Sequence, residues 1–146
     1  MTNTRLSILA AVALLVTGCF RNPGPSTIIG TWLIHDREDP FPMHLYVFNA
    51  DGTLQQASPD AGDSQHSDSD GKGIWAAEGS RIRGKWVDIM ADRTTHEFTG
   101  RGEYTFDVSV SGNVIRGHAT MTLIDPKGHA TAVVPTTIIG ERVTLR

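Results

Sequence analysis

The sequence predicts an all-β fold: a single antiparallel, up-and-down β-barrel of about eight strands. Apolar and polar residues alternate with a period of two along most of the chain, the pattern of strands that bury one face. Turn signals rich in Gly, Asp, Asn and Pro separate these segments at intervals of roughly eight to twelve residues. No segment beyond residue 20 carries a helical stripe longer than two turns. A closed barrel is favoured because it removes the exposed strand edges of so β-rich a chain.

The predicted strands lie between these turns, and residues 100–110 show the clearest alternation, with Tyr104, Phe106 and Val108 on one face. Asp51-Gly52 is a typical hairpin signal. Pro135 and Gly140 are expected to bend or bulge the last part of the chain. The predicted strands are residues 28–34, 43–48, a strand starting at 54, 73–77, 82–90, 100–110, 114–124, 131–134 and 136–145.

Two similar segments stand at opposite ends of the predicted barrel. Residues 26–32 read STIIGTW and residues 136–142 read TTIIGER. One pair of segments does not make a repeat protein. Two such strands could instead lie side by side and close the barrel, although similarity between β-strands also arises by chance.

The first 18 residues have the three-part layout of a secretory signal. Arg5 is followed by an apolar run from Leu6 to Val16, which is too short to span a bilayer, and then by small residues. The tail VTGC, ending at Cys19, resembles a bacterial lipobox, in which the cysteine is acylated and begins the mature chain. Cys19 is the only cysteine, so no intramolecular disulfide is possible, and a thioether to lipid would account for it. A cleaved signal with a leftover cysteine is the alternative.

The resemblance implies a lipid-anchored protein of the cell envelope, whose partner is the membrane. Residues 19–27 then form the lipidated cysteine and a short tether, and residues 28–146 form the domain. Phe20 is not the aspartate typical of inner-membrane retention, which favours the outer membrane if the source is Gram-negative. Without residues 1–18, twelve Lys and Arg face sixteen Asp and Glu, and no basic block indicates nucleic-acid binding.

Gly30-Thr31-Trp32, at the start of the first predicted strand, resembles the G-x-W motif of the lipocalins and the wider calycin group. The resemblance implies that Gly30 and Trp32 help to close one barrel end, and that an arginine of a late strand, here Arg142, packs near the tryptophan. A tryptophan at the start of a strand is most often a core residue, so Trp32 and Arg142 are expected first of all to be structural. "FNADGT" followed by Gly73-Ile74-Trp75 is also similar to small bacterial lipocalin-like domains of unassigned function.

The acidic stretch SPDAGDSQHSDSDGKG, residues 58–73, admits three interpretations. Its aspartates are hard oxygen ligands, and residues 66–71 resemble half of a calcium-binding loop, but position twelve of that loop would be Ala77 and no helices flank it. Ser, Asp and Gly also favour turns in a solvated connection. A lid over a binding site is the third interpretation, because loops of this length are often functional.

A lipocalin-like barrel that binds a small apolar or amphipathic molecule is the first functional hypothesis. The alternatives are a structural envelope protein with a filled barrel and a small β-barrel isomerase or cyclase. No sequence motif indicates a cofactor, a metal centre or a catalytic residue. The polar pocket candidates are His44, Asp88 and His118, each of which could equally be a surface or hydrogen-bonded group. The ligand-binding candidates are the aromatic residues Tyr46, Phe48, Trp75, Trp86, Tyr104 and Phe106.

Overall fold

A computed structural model describes residues 27–39, 41–60 and 64–145, and these ranges form one nine-stranded antiparallel sheet. The signal segment, Cys19 and the tether before residue 27 lie outside the described residues. Within the described ranges no α-helix is present, and no helix is long and apolar enough to cross a membrane. The strands are β1 Gly30–Asp36, β2 Met43–Phe48, β3 Thr53–Ala57, β4 His66–Asp68, β5 Lys72–Glu78, β6 Arg81–Asp92, β7 Phe98–Ser111, β8 Val114–Ile124 and β9 Ala130–Arg142.

Eight of these strands close into a barrel in which each strand pairs with the next one along the chain, apart from β4. The first and last strands complete the circle, because β1 pairs with β9 through registers such as Trp32 with Arg142 and Ile34 with Gly140. The two strands that contain the similar end segments therefore lie side by side, as predicted, although the segments themselves meet only where Trp32 pairs with Arg142. The observed fold confirms the predicted all-β, up-and-down barrel and is consistent with a lipocalin-like architecture.

The ninth strand, β4, lies outside the eight-strand circle. It comes from the acidic stretch, residues 58–73, where no strand was predicted. It pairs with residues 90–92 of β6. The neighbouring strand β5 pairs with β6 only through residues 81–87. Strands β3 and β5 share just three register positions, so few backbone pairs join these two strands of the barrel. Strand β4 follows β5 along the same strand, β6.

The tight turns lie where the sequence places them, whereas the expected irregularities of the last strand do not. Pro135 and Gly140 belong to one continuous strand, β9, with no register shift at either residue. The shifts occur instead between Met90 and Ala91 and between Leu123 and Ile124. Pro135 is tolerated because β1 pairs with β9 only from Ile138 onward, so one edge of β9 has no ladder bond to lose at that point.

Candidate ligand-binding cavity

One end of the barrel is sealed by Trp32, which is fully buried at the start of β1. Its indole Nε1–H donates to the carbonyl oxygen of Ile28 at 2.7 Å. The guanidinium carbon of Arg142 lies 4.2 Å from the centroid of the Trp32 ring, in a cation–π contact. Arg142 also donates to the carbonyl oxygens of Ile29, at 2.7 Å, and of Thr27. The structure thus brings Trp32 and Arg142 together in a plug that ties the chain before β1 to the last strand.

Gly30 leaves the space that Arg142 needs to reach these carbonyl groups. Its φ of 130° lies in a region that side-chain-bearing residues rarely adopt. A Cβ at this position would also stand 2.9 Å from Arg142 Nη1. A larger residue would therefore strain the backbone and press on the arginine.

Aromatic side chains fill the barrel next to this plug. The rings of Phe48 and Trp75, and those of Phe48 and Phe106, meet edge to face at 5.9 Å between centroids. Tyr46 packs on Phe106 at 6.3 Å. Four of the six predicted ligand-binding aromatics therefore form the packed core of the barrel rather than the wall of a cavity, since all four are at most 9 % exposed and none of them lines the cavity described below.

The inward-facing rows of side chains change from apolar to polar toward the other end. On β1 the row ends at Asp36, on β2 at His44 and on β3 at Gln56, and all three residues are buried. Because neighbouring strands run antiparallel, these polar positions converge on one mouth of the barrel. The rows read Trp32, Ile34, Asp36 on β1; Phe48, Tyr46, His44 on β2; and Leu54, Gln56 on β3.

A cavity of about 450 Å³ lies at this polar mouth. This volume falls within the usual range of small-molecule sites. Trp86 and Tyr104 both line it, and their rings are stacked at 3.7 Å between centroids with an angle of 11°. The Trp86 indole N–H donates to the Tyr46 hydroxyl at 2.9 Å, which anchors this stack to the core. The other apolar groups of the wall are Phe41, Pro59, Met90, Met121, Leu123 and Ile124.

A chain of hydrogen bonds fixes the tautomer of His44 at the cavity wall. The backbone N–H of Gly71 donates to Gln56 Oε1 at 2.8 Å, so the amide nitrogen of Gln56 faces His44 Nδ1 at 3.0 Å. An amide nitrogen can only donate, so Nδ1 must accept and Nε2 carries the proton of the neutral ring. That Nε2–H is buried and has no hydrogen-bond partner among the described residues.

The nearest anionic group to this proton is the carboxylate of Asp39, whose Oδ2 lies 3.6 Å from His44 Nε2. That distance is beyond a hydrogen bond. Burial lowers the pKa of His44, although the charge of Asp39 opposes the shift. Burial also raises the pKa of Asp39, against the effect of the Phe41 N–H. The ring is therefore neutral near pH 7, and it belongs to the residues that line the cavity.

Asp88 is the second buried polar group of the cavity, only 6 % exposed. Burial raises its pKa from 3.8 to about 6, although the Gly102 N–H donates to Oδ1 at 2.7 Å and favours the charged form. A Cβ at position 102 would lie 2.5 Å from this oxygen, so a glycine permits the close approach. Asp88 is thus a carboxylate that changes charge just below neutral pH.

The acidic stretch forms part of the cavity rim through Asp60 and β4. Arg93 donates to the Asp60 carboxylate at 2.5 Å and to the carbonyl oxygen of His66 at 2.9 Å. Burial and a hydrogen bond to Asp60 raise the pKa of Asp68. Within residues 27–39, 41–60 and 64–145, no three His, Cys, Asp or Glu side chains group as metal ligands.

The structure separates the three predicted polar candidates. His44 and Asp88 line the same cavity, whereas His118 is exposed on the outer face of β8, beside Arg116 and Thr137. Sequence reasoning missed Asp39, Gln56 and the cavity-lining methionines. A signal for Gln56 was present, because it continues the inward row of Leu54 and a buried glutamine needs partners.

The arrangement can hold an apolar body against the stacked aromatic rings and methionines, and can bind polar groups through a histidine donor and several carboxylates. No protein-family model and no curated protein matches this chain.

Proposed function

We propose that this protein is a lipid-anchored, lipocalin-like barrel of the cell envelope that binds a small amphipathic molecule in its polar mouth. The observation that carries the proposal is the asymmetry of the interior. One end is closed by the Trp32–Arg142 plug, while the other retains a cavity of about 450 Å³ with an apolar wall and a buried, unpartnered His44 donor. Buried polar groups without partners are rare in packed interiors. A filled structural barrel would have no reason to retain both features.

The test is native mass spectrometry of the full chain in a Cys19→Ser background, which lacks the proposed lipid and can be purified from its own host without detergent, followed by organic extraction of any bound molecule. A Met121→Trp variant adds a large ring at the cavity wall and should lose that molecule. Ile89→Trp makes a similar change on the exposed outer face of β6 and should retain it. The proposal fails if the parent chain carries no molecule and binds no apolar probe, or if both variants behave alike.

The lipid anchor is proposed on the lipobox-like VTGC alone. Two or three acyl chains would make membrane attachment effectively permanent, since each buried CH₂ contributes about 0.8 kcal/mol. Metabolic labelling with palmitate and membrane fractionation test it. Wild-type protein should be labelled and sediment with membranes, whereas Cys19→Ser should be unlabelled. Soluble, unlabelled wild-type protein would refute the anchor but not the binding site.

An isomerase or cyclase is a second candidate, because a carboxylate with a pKa of about 6 and a neutral histidine share one cavity. Groups with a pKa near the working pH are suited to general acid–base catalysis. Comparison of molecules extracted from wild type and from Asp88→Asn distinguishes the two candidates. A carrier should yield the same compound from both proteins, whereas a catalyst should accumulate a different isomer in the variant.

A further inference from the structure

The cavity wall carries an excess of acidic side chains. Five aspartates line it, and no lysine or arginine does within the part of the chain that the structure describes. Asp60 is neutralised by Arg93. Asp125 accepts hydrogen bonds from the backbone of its own turn and from His129. The remaining three, Asp39, Asp68 and Asp88, form no ion pair with a lysine or arginine among the described residues.

This excess of carboxylates is costly unless something positive accompanies it. Asp39 and Asp88 are buried enough for burial to raise the pKa of each, so both are held in a poorly solvated environment. A buried charge is normally paired, because an isolated one loses its hydration without compensation. Among the described residues, the Gly102 N–H is the one hydrogen-bond donor that contacts the Asp88 carboxylate, which lines the cavity.

A second, independent observation is an unpartnered hydrogen-bond donor on a residue that lines the cavity. His44 is 96 % buried, and its Nε2–H has no partner although its other nitrogen is fully engaged with Gln56. Taken alone, this donor would suit the oxygen of a carboxylate ligand as well as that of a hydroxyl or carbonyl group. The surrounding aspartates decide between these, since a ligand carboxylate would be repelled by like charges in a site of low dielectric.

We propose that the ligand is a small apolar molecule carrying a protonated amine, which pairs with Asp88 and Asp39, together with a neutral oxygen that accepts from His44 Nε2–H. This assignment rests on the proposed binding function and names its ligand class. The apolar body packs against the stacked Trp86 and Tyr104 rings. Partial desolvation makes the amine–carboxylate pair stronger than it would be in water.

Three probes of similar shape and different charge test the inference: 2-phenylethylamine, 2-phenylethanol and phenylacetate, titrated by calorimetry into the full chain near neutral pH. The amine should bind about tenfold more tightly than the alcohol, and the acid should bind most weakly. In Asp88→Asn the preference for the amine over the alcohol should shrink severalfold. Asp107→Asn, which removes a carboxylate paired with Arg81 on the outer face, should leave the preference unchanged.

The outcomes separate the two proposals. If the alcohol or the acid binds as tightly as the amine, the amine assignment is overturned while the binding function stands. If none of the three probes binds, the amine assignment is overturned, whereas the binding function fails only if the chain purified from its host also carries no molecule. If the wild type prefers the amine but Asp88→Asn and Asp39→Asn both keep that preference, the carboxylates are not its cause and the assignment fails.

Discussion

Replacing Asp88 by Asn should stabilise the protein near neutral pH, and the gain should disappear in acid. Asn retains the shape of the side chain and an oxygen that can accept from the Gly102 N–H. It removes the cost of ionising a buried carboxyl group. The rise of the Asp88 pKa from 3.8 to about 6 corresponds to roughly 3 kcal/mol of unfolding free energy.

The sign follows from proton binding. Between pH 3.8 and about 6 the folded protein binds the Asp88 proton more tightly than the unfolded chain does. The contribution of Asp88 to stability therefore falls as the pH rises through this window, and the full penalty is present above it. The raised pKa values of Asp39 and Asp68 act in the same direction, whereas the lowered pKa of His44 acts in the opposite one. These groups are present in both proteins, so the difference between variant and wild type isolates Asp88.

Urea denaturation followed by tryptophan fluorescence measures this difference at several pH values. The stability of Asp88→Asn relative to wild type should rise by about 2 kcal/mol between about pH 4 and about pH 7.5. Asp107→Asn is the matched control, because Arg81 and Arg83 lower the pKa of Asp107 and its loss should not stabilise the protein at neutral pH. A difference between Asp88→Asn and wild type that stays constant with pH would refute the reasoning.

Three further predictions concern the plug and the cavity. Arg142→Met should cost about 2 kcal/mol in urea denaturation, because it removes the cation–π contact and two hydrogen bonds to carbonyl oxygens; an unchanged midpoint would contradict the plug. Nitrogen NMR of the His44 ring should show the Nε2–H tautomer and a pKa below 6.5, and Gln56→Leu should abolish the tautomer preference; a wild-type ring protonated at Nδ1 would exclude the hydrogen-bond chain. Gly102→Ala should destabilise the fold by about 1–3 kcal/mol, because the added methyl group displaces the Asp88 carboxylate; thermal unfolding measures the change. An unchanged unfolding temperature would show that the carboxylate can move away without cost.

Much of the barrel could be predicted from local pattern. The alternation on β7 placed Tyr104, Phe106 and Val108 inward, and the hairpin at Gly52 occurs where Asp-Gly indicates it. Local preference failed for Pro135. The sequence around it predicts a bend. Because β1 does not pair with β9 at this position, the proline can lie within the strand without the loss of a hydrogen bond to β1. Which edge of a strand is paired depends on the whole barrel, so no window of sequence could reveal it.

The sequence by itself determined that the chain alternates and turns often. It named His44 and Asp88 as candidates because each shares a predicted strand face with aromatic residues, together with His118, which lies on the outer face of β8. Only the tertiary structure decided which aromatics fill the core, which face the cavity, and that Asp39 stands 3.6 Å from His44. The physical reason is that side-chain alternation is local, whereas a cavity is the space left when distant strands close, and its volume and charge depend on all of them at once.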